Sequence, residues 1–332
     1  MKKRRINIIT CCLALLSLCG CIHENIEGEG TDPTLANVTL DMTLDLELLP
    51  FTRSKNISSV PEGYTRRFTI DVYREGKVMA DKRQVITNVK EEADGTFTIP
   101  VTFKLHALEY TLATWVDYVK ESNGDTISCF NTENLSNVWL ATPYCNNIAL
   151  REAFCGKTEL DLTLYRDRWN AQIEQTMNLK RPQAQFRIVA TDVQEFLTRM
   201  AAKNMQAGGY RVKLSYDFFV PTAFNVVGDV LCAAHTGVNF TTPCNIIADE
   251  NGNCEIAGDY VFAGADRSFI TATIEVTDAK GTVVSRVNGL EIPFRQGQLT
   301  TVTGKFLTTL MKPGIGIDTD YDGEFNITIK IP

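Results

Sequence analysis

The chain has 332 residues, and its 33 Lys and Arg are outnumbered by 40 Asp and Glu, a formal charge of −7. An acidic balance gives no electropositive footprint for nucleic acid or for an anionic lipid surface. The length exceeds what most single β-sandwiches use, so two domains are expected.

Residues 1–20 read as a lipoprotein signal peptide. Lys2, Lys3, Arg4 and Arg5 form a basic start, Ile8 to Leu18 form a short apolar run, and Leu18-Cys19-Gly20-Cys21 closes the segment. Roughly 11 apolar-rich residues are too few for a spanning helix, which needs about 20. A small residue before a cysteine, with Leu ahead of it, resembles the bacterial lipobox, although Cys19 is a less usual occupant of its position. The resemblance makes Cys21 the acylated N-terminus and the outer membrane a partner through that lipid. A plain cleaved signal and an uncleaved anchor are the alternatives. Loss of residues 1–20 removes four positive charges and takes the balance from −7 to −11. Residues 21–36 then form an acidic leader with His23, Glu24, Glu27 and Glu29. Acidic residues directly after a lipid cysteine resemble the surface-export signal of Bacteroidetes lipoproteins; a solvated linker is the plainer reading, and the two are compatible.

The next segment, "VTLDMTLDLELLPFTRS" (38–54), alternates without a break. Val38, Leu40, Met42, Leu44, Leu46 and Leu48 face one way, and Thr39, Asp41, Thr43, Asp45 and Glu47 the other. A period of two describes a strand with one buried and one wet face. Arg53 follows in a polar stretch open to a trypsin-like protease.

Short strands between turn signals continue in two batches. Residues 66–75, 95–105, 110–119 and 158–166 alternate or carry β-branched and aromatic side chains, with turns at "VPEG", "EADGTF" and "ESNGDT". Residues 185–191, 210–220, 268–278, 284–294, 299–308 and 324–331 repeat the pattern. One helix interrupts the second batch. Thr191 and Gln194 make a capping-box pattern, and Val193, Phe196, Leu197, Met200 and Ala201 recur at helical spacing. The reading is mainly β: an N-terminal antiparallel sandwich over 37–166, a polar connector over 167–183, and a C-terminal sandwich over 184–332 with one short helix.

No chemical constellation stands out, so neither an enzyme nor a cofactor is expected. His106 and His235 lack a recognisable nucleophile context. Six cysteines remain beyond Cys21 (Cys129, Cys145, Cys155, Cys232, Cys244 and Cys254), none at CxxC spacing, which implies partial pairing or buried thiols rather than zinc. Asp318, Asp320 and Asp322 before Gly323 copy the opening of a calcium loop, but the twelfth position is Ile329 and a strand follows; a solvated turn is the better reading. Trp115 sits in a strand and is assigned to the core. Trp139 and Trp169 stay open as carbohydrate-stacking candidates.

Several longer phrases carry a resemblance: "YTLATWVDYVKESNGDTISCFNTENLSNV" (110–138), "REAFCG" (151–156), "RPQAQFRIVATDVQEFL" (181–197), "FFVPTAFNVVGDV" (218–230), "LEIPFRQGQLTTVTGKFLT" (290–308) and "GIGIDTDYDGEFNI" (314–327). In these the chain resembles a Bacteroidales family of surface lipoproteins that is itself similar to FimA/Mfa-type fimbrillins. The resemblance covers nearly all of residues 37–332. It implies two transthyretin-like sandwiches and a surface-exposed, lipid-anchored protein of the outer membrane with a structural or adhesive role. In such pilins an arginine-specific protease removes the N-terminal piece with the first strand, and a strand from a neighbouring subunit fills the gap. Carried over here, the removable strand is 38–48, the cleavage point Arg53, and the partners are other fimbrial subunits. Retention of the strand in a permanent lipoprotein is the competing reading. A surface lipoprotein that binds a glycan or host protein without polymerising is the alternative function.

Overall fold

A computed structural model of the chain describes residues 35–44, 60–87, 89, 96–122, 125–142, 144, 150–168, 171–203, 208–309 and 325–328. The fold is mainly β. The first half supplies β1 (Leu35–Leu44), β2 (Thr65–Arg74), β3 (Lys77–Val78), β4 (Gln84–Thr87), β5 (Thr96–His106), β6 (Glu109–Ser122), β7 (Asp125–Ser128), β8 (Phe130–Asn131), β9 (Val138–Leu140), β10 (Phe154–Asp161) and β11 (Gln172–Leu179). The second supplies β12 (Gln183–Ala190), helix α1 (Val193–Ala202), β13 (Tyr210–Tyr216), β14 (Val220–Asn225), β15 (Val230–His235), β16 (Asn239–Cys244), β17 (Cys254–Phe262), β18 (Ser268–Thr277), β19 (Val283–Phe294), β20 (Leu299–Gly304) and β21 (Phe325–Thr328).

In the first sandwich a three-stranded sheet, β11-β1-β5, faces a six-stranded sheet built on β10-β6-β2-β3, with β4 beside β2 and β7 beside β6. The alternation in the sequence explains the closure. Val38, Leu40 and Met42 of β1, Phe68, Ile70 and Val72 of β2, and Ile99, Val101 and Phe103 of β5 point into one core. Between β2 and β3, Glu75 and Gly76 both have positive φ (51° and 73°), the backbone a two-residue hairpin with the strands' own twist requires.

The second sandwich pairs β17-β12-β20-β21 with β16-β13-β18-β19. Helix α1 buries Val193, Phe196 and Met200 against its core. The capping box expected from Thr191 and Gln194 does not form. Asp192 occupies the cap position without capping; its carboxylate accepts instead from the Leu307 and Thr308 backbone N–H groups, at 3.1 and 2.7 Å. Two unpaired backbone donors outside the helix compete successfully for the side chain.

Two features depart from a pair of antiparallel sandwiches on a polar connector. Residues 172–179, inside the expected connector, form β11, which runs parallel to β1 along its whole length. β12 and β20 are also parallel, as are β20 and β21. The halves are moreover joined by a fifth sheet, β15-β14-β9-β8, with two strands from each. Trp115, Phe130, Val138, Phe224 and Phe262 pack in the core beneath it.

Candidate functional site

β1 is the element on which the sequence reading turns, and the structure places it at the centre of its sheet. On one side it pairs with β11 from Asn37↔Gln172 to Leu44↔Leu179. On the other it pairs antiparallel with β5 from Leu35↔His106 to Thr43↔Thr96, with a register shift between Thr39 and Leu40. Both backbone edges are therefore used. Ala36, Val38, Leu40, Met42 and Leu44 are all buried, Val38 and Leu40 completely; Thr43 is exposed. Full burial of such a side chain contributes about 1.5–3 kcal/mol. Without β1, an apolar slot would open between β5 and β11, lined by two rows of unpaired N–H and C=O groups. Such an edge is a template for adding a strand.

Other sequence-marked residues fall as follows. Leu46, Leu48, Cys21, Arg53, Asp318, Asp320, Asp322, Trp169 and Cys145 lie outside the described residues. Trp115 is buried and meets Phe130 edge-on, ring centroids 5.2 Å apart. Trp139 is half exposed on β9. His106 ends β5; His235 ends β15, its Nδ1 paired with the Thr222 hydroxyl. Cys129 is disulfide-bonded, whereas Cys155, Cys232, Cys244 and Cys254 are free thiols.

The sequence reading did not single out the charged residues on the outer face of the first sandwich. Arg67, Thr69 and Asp71 of β2 alternate with its core residues, and cross-strand pairing sets Arg67 against Asp117 and Thr69 against Trp115. Arg67 grips Asp117 through Nε and Nη2, at 2.8 and 2.6 Å, and the Ser128 hydroxyl donates to the same carboxylate at 2.8 Å. Arg83 approaches Asp71 at 3.4 Å and donates to the Glu133 carbonyl at 2.7 Å and to that of Thr132. Burial raises the pKa of both Asp71 and Asp117 above 3.8, against the pull of Arg83 and Arg67 respectively. The available signal was an aspartate as the one charged residue inside each of two strand segments, "FTIDVY" and "TWVDYV".

These features define a two-sandwich β protein whose first described strand is a central strand paired on both edges. The chain belongs to a family of unknown function, DUF6562, whose model matches residues 30–331. No curated protein matches it. Among solved structures it is similar to a candidate adhesin from Bacteroides ovatus, at 14% identity over 83% of this chain and 91% of that one, with a TM-score of 0.45. It is also similar to the fimbrial anchor protein Mfa2 from Porphyromonas gingivalis, at 13% identity over 76% and 81%, TM-score 0.41. A third similarity is to candidate polysaccharide-binding proteins from Bacteroides thetaiotaomicron, at 11% identity over 76% and 80%, TM-score 0.42.

Proposed function

We propose that the chain is a lipid-anchored protein of the bacterial surface, tethered through Cys21, with a structural and adhesive role of the fimbrial-subunit kind, and that β1 is the strand its assembly exchanges. The observation that supports this reading is β1 itself. It is the first described element, it fills one slot with five buried side chains, and both its edges are hydrogen-bonded. Cleavage at Arg53 would detach it from everything that follows, and only non-covalent contacts would then hold it. A donor strand entering the slot would have to satisfy one parallel and one antiparallel neighbour and bring alternating apolar side chains.

The test has two parts. Intact mass and N-terminal sequencing of protein recovered from the cell surface should show a mature chain beginning at Ser54. A chain beginning at acylated Cys21 would mean β1 is retained and would remove strand exchange. Protein beginning at Ser54 should also form multimers that a synthetic peptide of residues 35–48 dissolves into monomers. Stable monomers that ignore the peptide would defeat the exchange mechanism.

A further inference from the structure

The outer face of the first sandwich carries a groove of about 560 Å3 that the strand-exchange reading leaves unused. The volume lies within the range of about 300–1,000 Å3 usual for small-molecule sites. Arg67 and Thr69 of β2, Arg83, Val85 of β4, Thr126 and Ser128 of β7, and the segment from Phe130 to Glu133 form its walls.

Its polar groups are held in place from behind. Asp117, fully buried, clamps the Arg67 guanidinium on two nitrogens. Asp71 and two backbone carbonyls hold Arg83. The Asn131 Oδ1 accepts from the Glu133 N–H at 3.0 Å and so fixes its amide. What remains uncommitted is a mixed set: Nη1 of Arg67, the amide NH2 of Asn131, the Thr132 hydroxyl, and the Thr69 hydroxyl at the floor, which is buried without a partner. Donors with locked orientation lose little entropy on binding. Val85, more than half exposed, adds an apolar wall.

Charge narrows the ligand. Both arginines are already matched by buried carboxylates, and Glu133 adds a negative charge at the rim. An incoming anion would gain no unpaired cation. A ligand with hydroxyls that both donate and accept, and with C–H surface to lay on Val85, suits this lining. We infer that the groove bounded by Arg67, Arg83, Asn131 and Thr132 is a binding site for a neutral carbohydrate. The inference rests on the adhesive reading for its context, but the site is complete in the intact chain and needs no strand exchange.

Binding is measured on the intact, soluble chain from residue 22 onward by saturation-transfer NMR and calorimetry. The probes are neutral oligosaccharides of glucose, galactose, mannose and N-acetylglucosamine, with sialylated and uronic-acid oligosaccharides as the anionic arm. At least one neutral member should bind, and Thr132→Val and Asn131→Asp should each weaken it about five- to tenfold. Asn131→Asp keeps the oxygen that caps the turn, and an unchanged unfolding midpoint shows that each variant is folded. Val85→Glu, at an exposed rim position, should reduce binding independently. No binding by any neutral probe, equal or tighter binding of the anionic ones, or indifference to all three variants would each overturn the site. Strand exchange is tested on the chain without β1, so either reading can fail while the other stands.

Discussion

Asp71 shows how a single side chain gains its properties from its surroundings. It sits mid-strand on a face covered by the loop that follows β8, buried beside Arg83, Leu135 and Tyr73. Desolvation raises its pKa above 3.8, and Arg83 only partly offsets this. The native state therefore holds the proton more tightly than the unfolded chain does. The contribution of this group is fully present below pH 3.8 and is lost as pH rises through the elevated native value. The unfolding free energy of the native chain minus that of Asp71→Asn should accordingly fall as pH is raised from 3.8. Urea titrations of both proteins across that window check it, and a difference that grows with pH would mean that Arg83 dominates instead. The asparagine keeps an oxygen for Arg83, so the comparison isolates the charge.

At the scale of elements, β1 and its neighbours decide the stability of the first sandwich. Leu40 is completely buried, and Leu40→Ala should cost about 2–5 kcal/mol. Thr43→Ala, on the exposed face of the same strand, should stay within about 0.5 kcal/mol. The readout is the urea midpoint at unchanged slope; equal losses would place β1 outside the core. Gly156 on β10 provides a second check. A Cβ there would lie 2.7 Å from the Asn178 carbonyl oxygen on β11, because β10 and β11 approach across the sandwich and bond through Cys155 and Lys180. Backbone cannot swing aside as a side chain can, so Gly156→Ala should cost about 1–3 kcal/mol by the same measurement. β11 is thus paired along its length with β1, and just past its end Lys180 bonds to Cys155 on β10.

For the whole molecule, the joint between the halves is the distinctive feature. Arg151, just before β10, pairs with Asp259 on β17, and both are buried. Tyr144 and Tyr216 donate to the same aspartate, at 2.7 and 2.6 Å. Nearby, Glu152 accepts from Arg181 and from Tyr118. Leaving a buried charge without its partner costs about 3–5 kcal/mol, whereas replacing both by apolar groups costs far less. Asp259→Ala should therefore destabilise strongly, and Arg151→Met with Asp259→Leu should recover most of the loss. The intact chain should unfold in one transition, because β8, β9, β14 and β15 share a sheet across the halves. Calorimetry of Asp259→Ala should split that transition in two. A single transition at a lower temperature would show that the shared sheet alone couples the halves.

Local pattern was enough for what has a local cause. The alternation of Val38, Leu40, Met42 and Leu44 specifies a one-sided strand wherever it lies, since a shift of one residue would turn every apolar side chain to water. The spacing of Val193, Phe196 and Met200 specifies a helix for the same kind of reason. Which strands become neighbours is a different matter. The polar face of 172–179 read as a connector because an edge strand beside β1 needs only half its side chains apolar, and its parallel pairing with a strand more than 130 residues earlier leaves no mark in its own composition. Likewise Arg67 and Asp117 are 50 residues apart, and Arg151 and Asp259 are 108 apart. Neither pair has any local periodicity to announce it. The alternating strand was determined by the sequence alone. Its central place, the groove on the opposite sheet and the buried joint between the halves were decided only when distant registers came together.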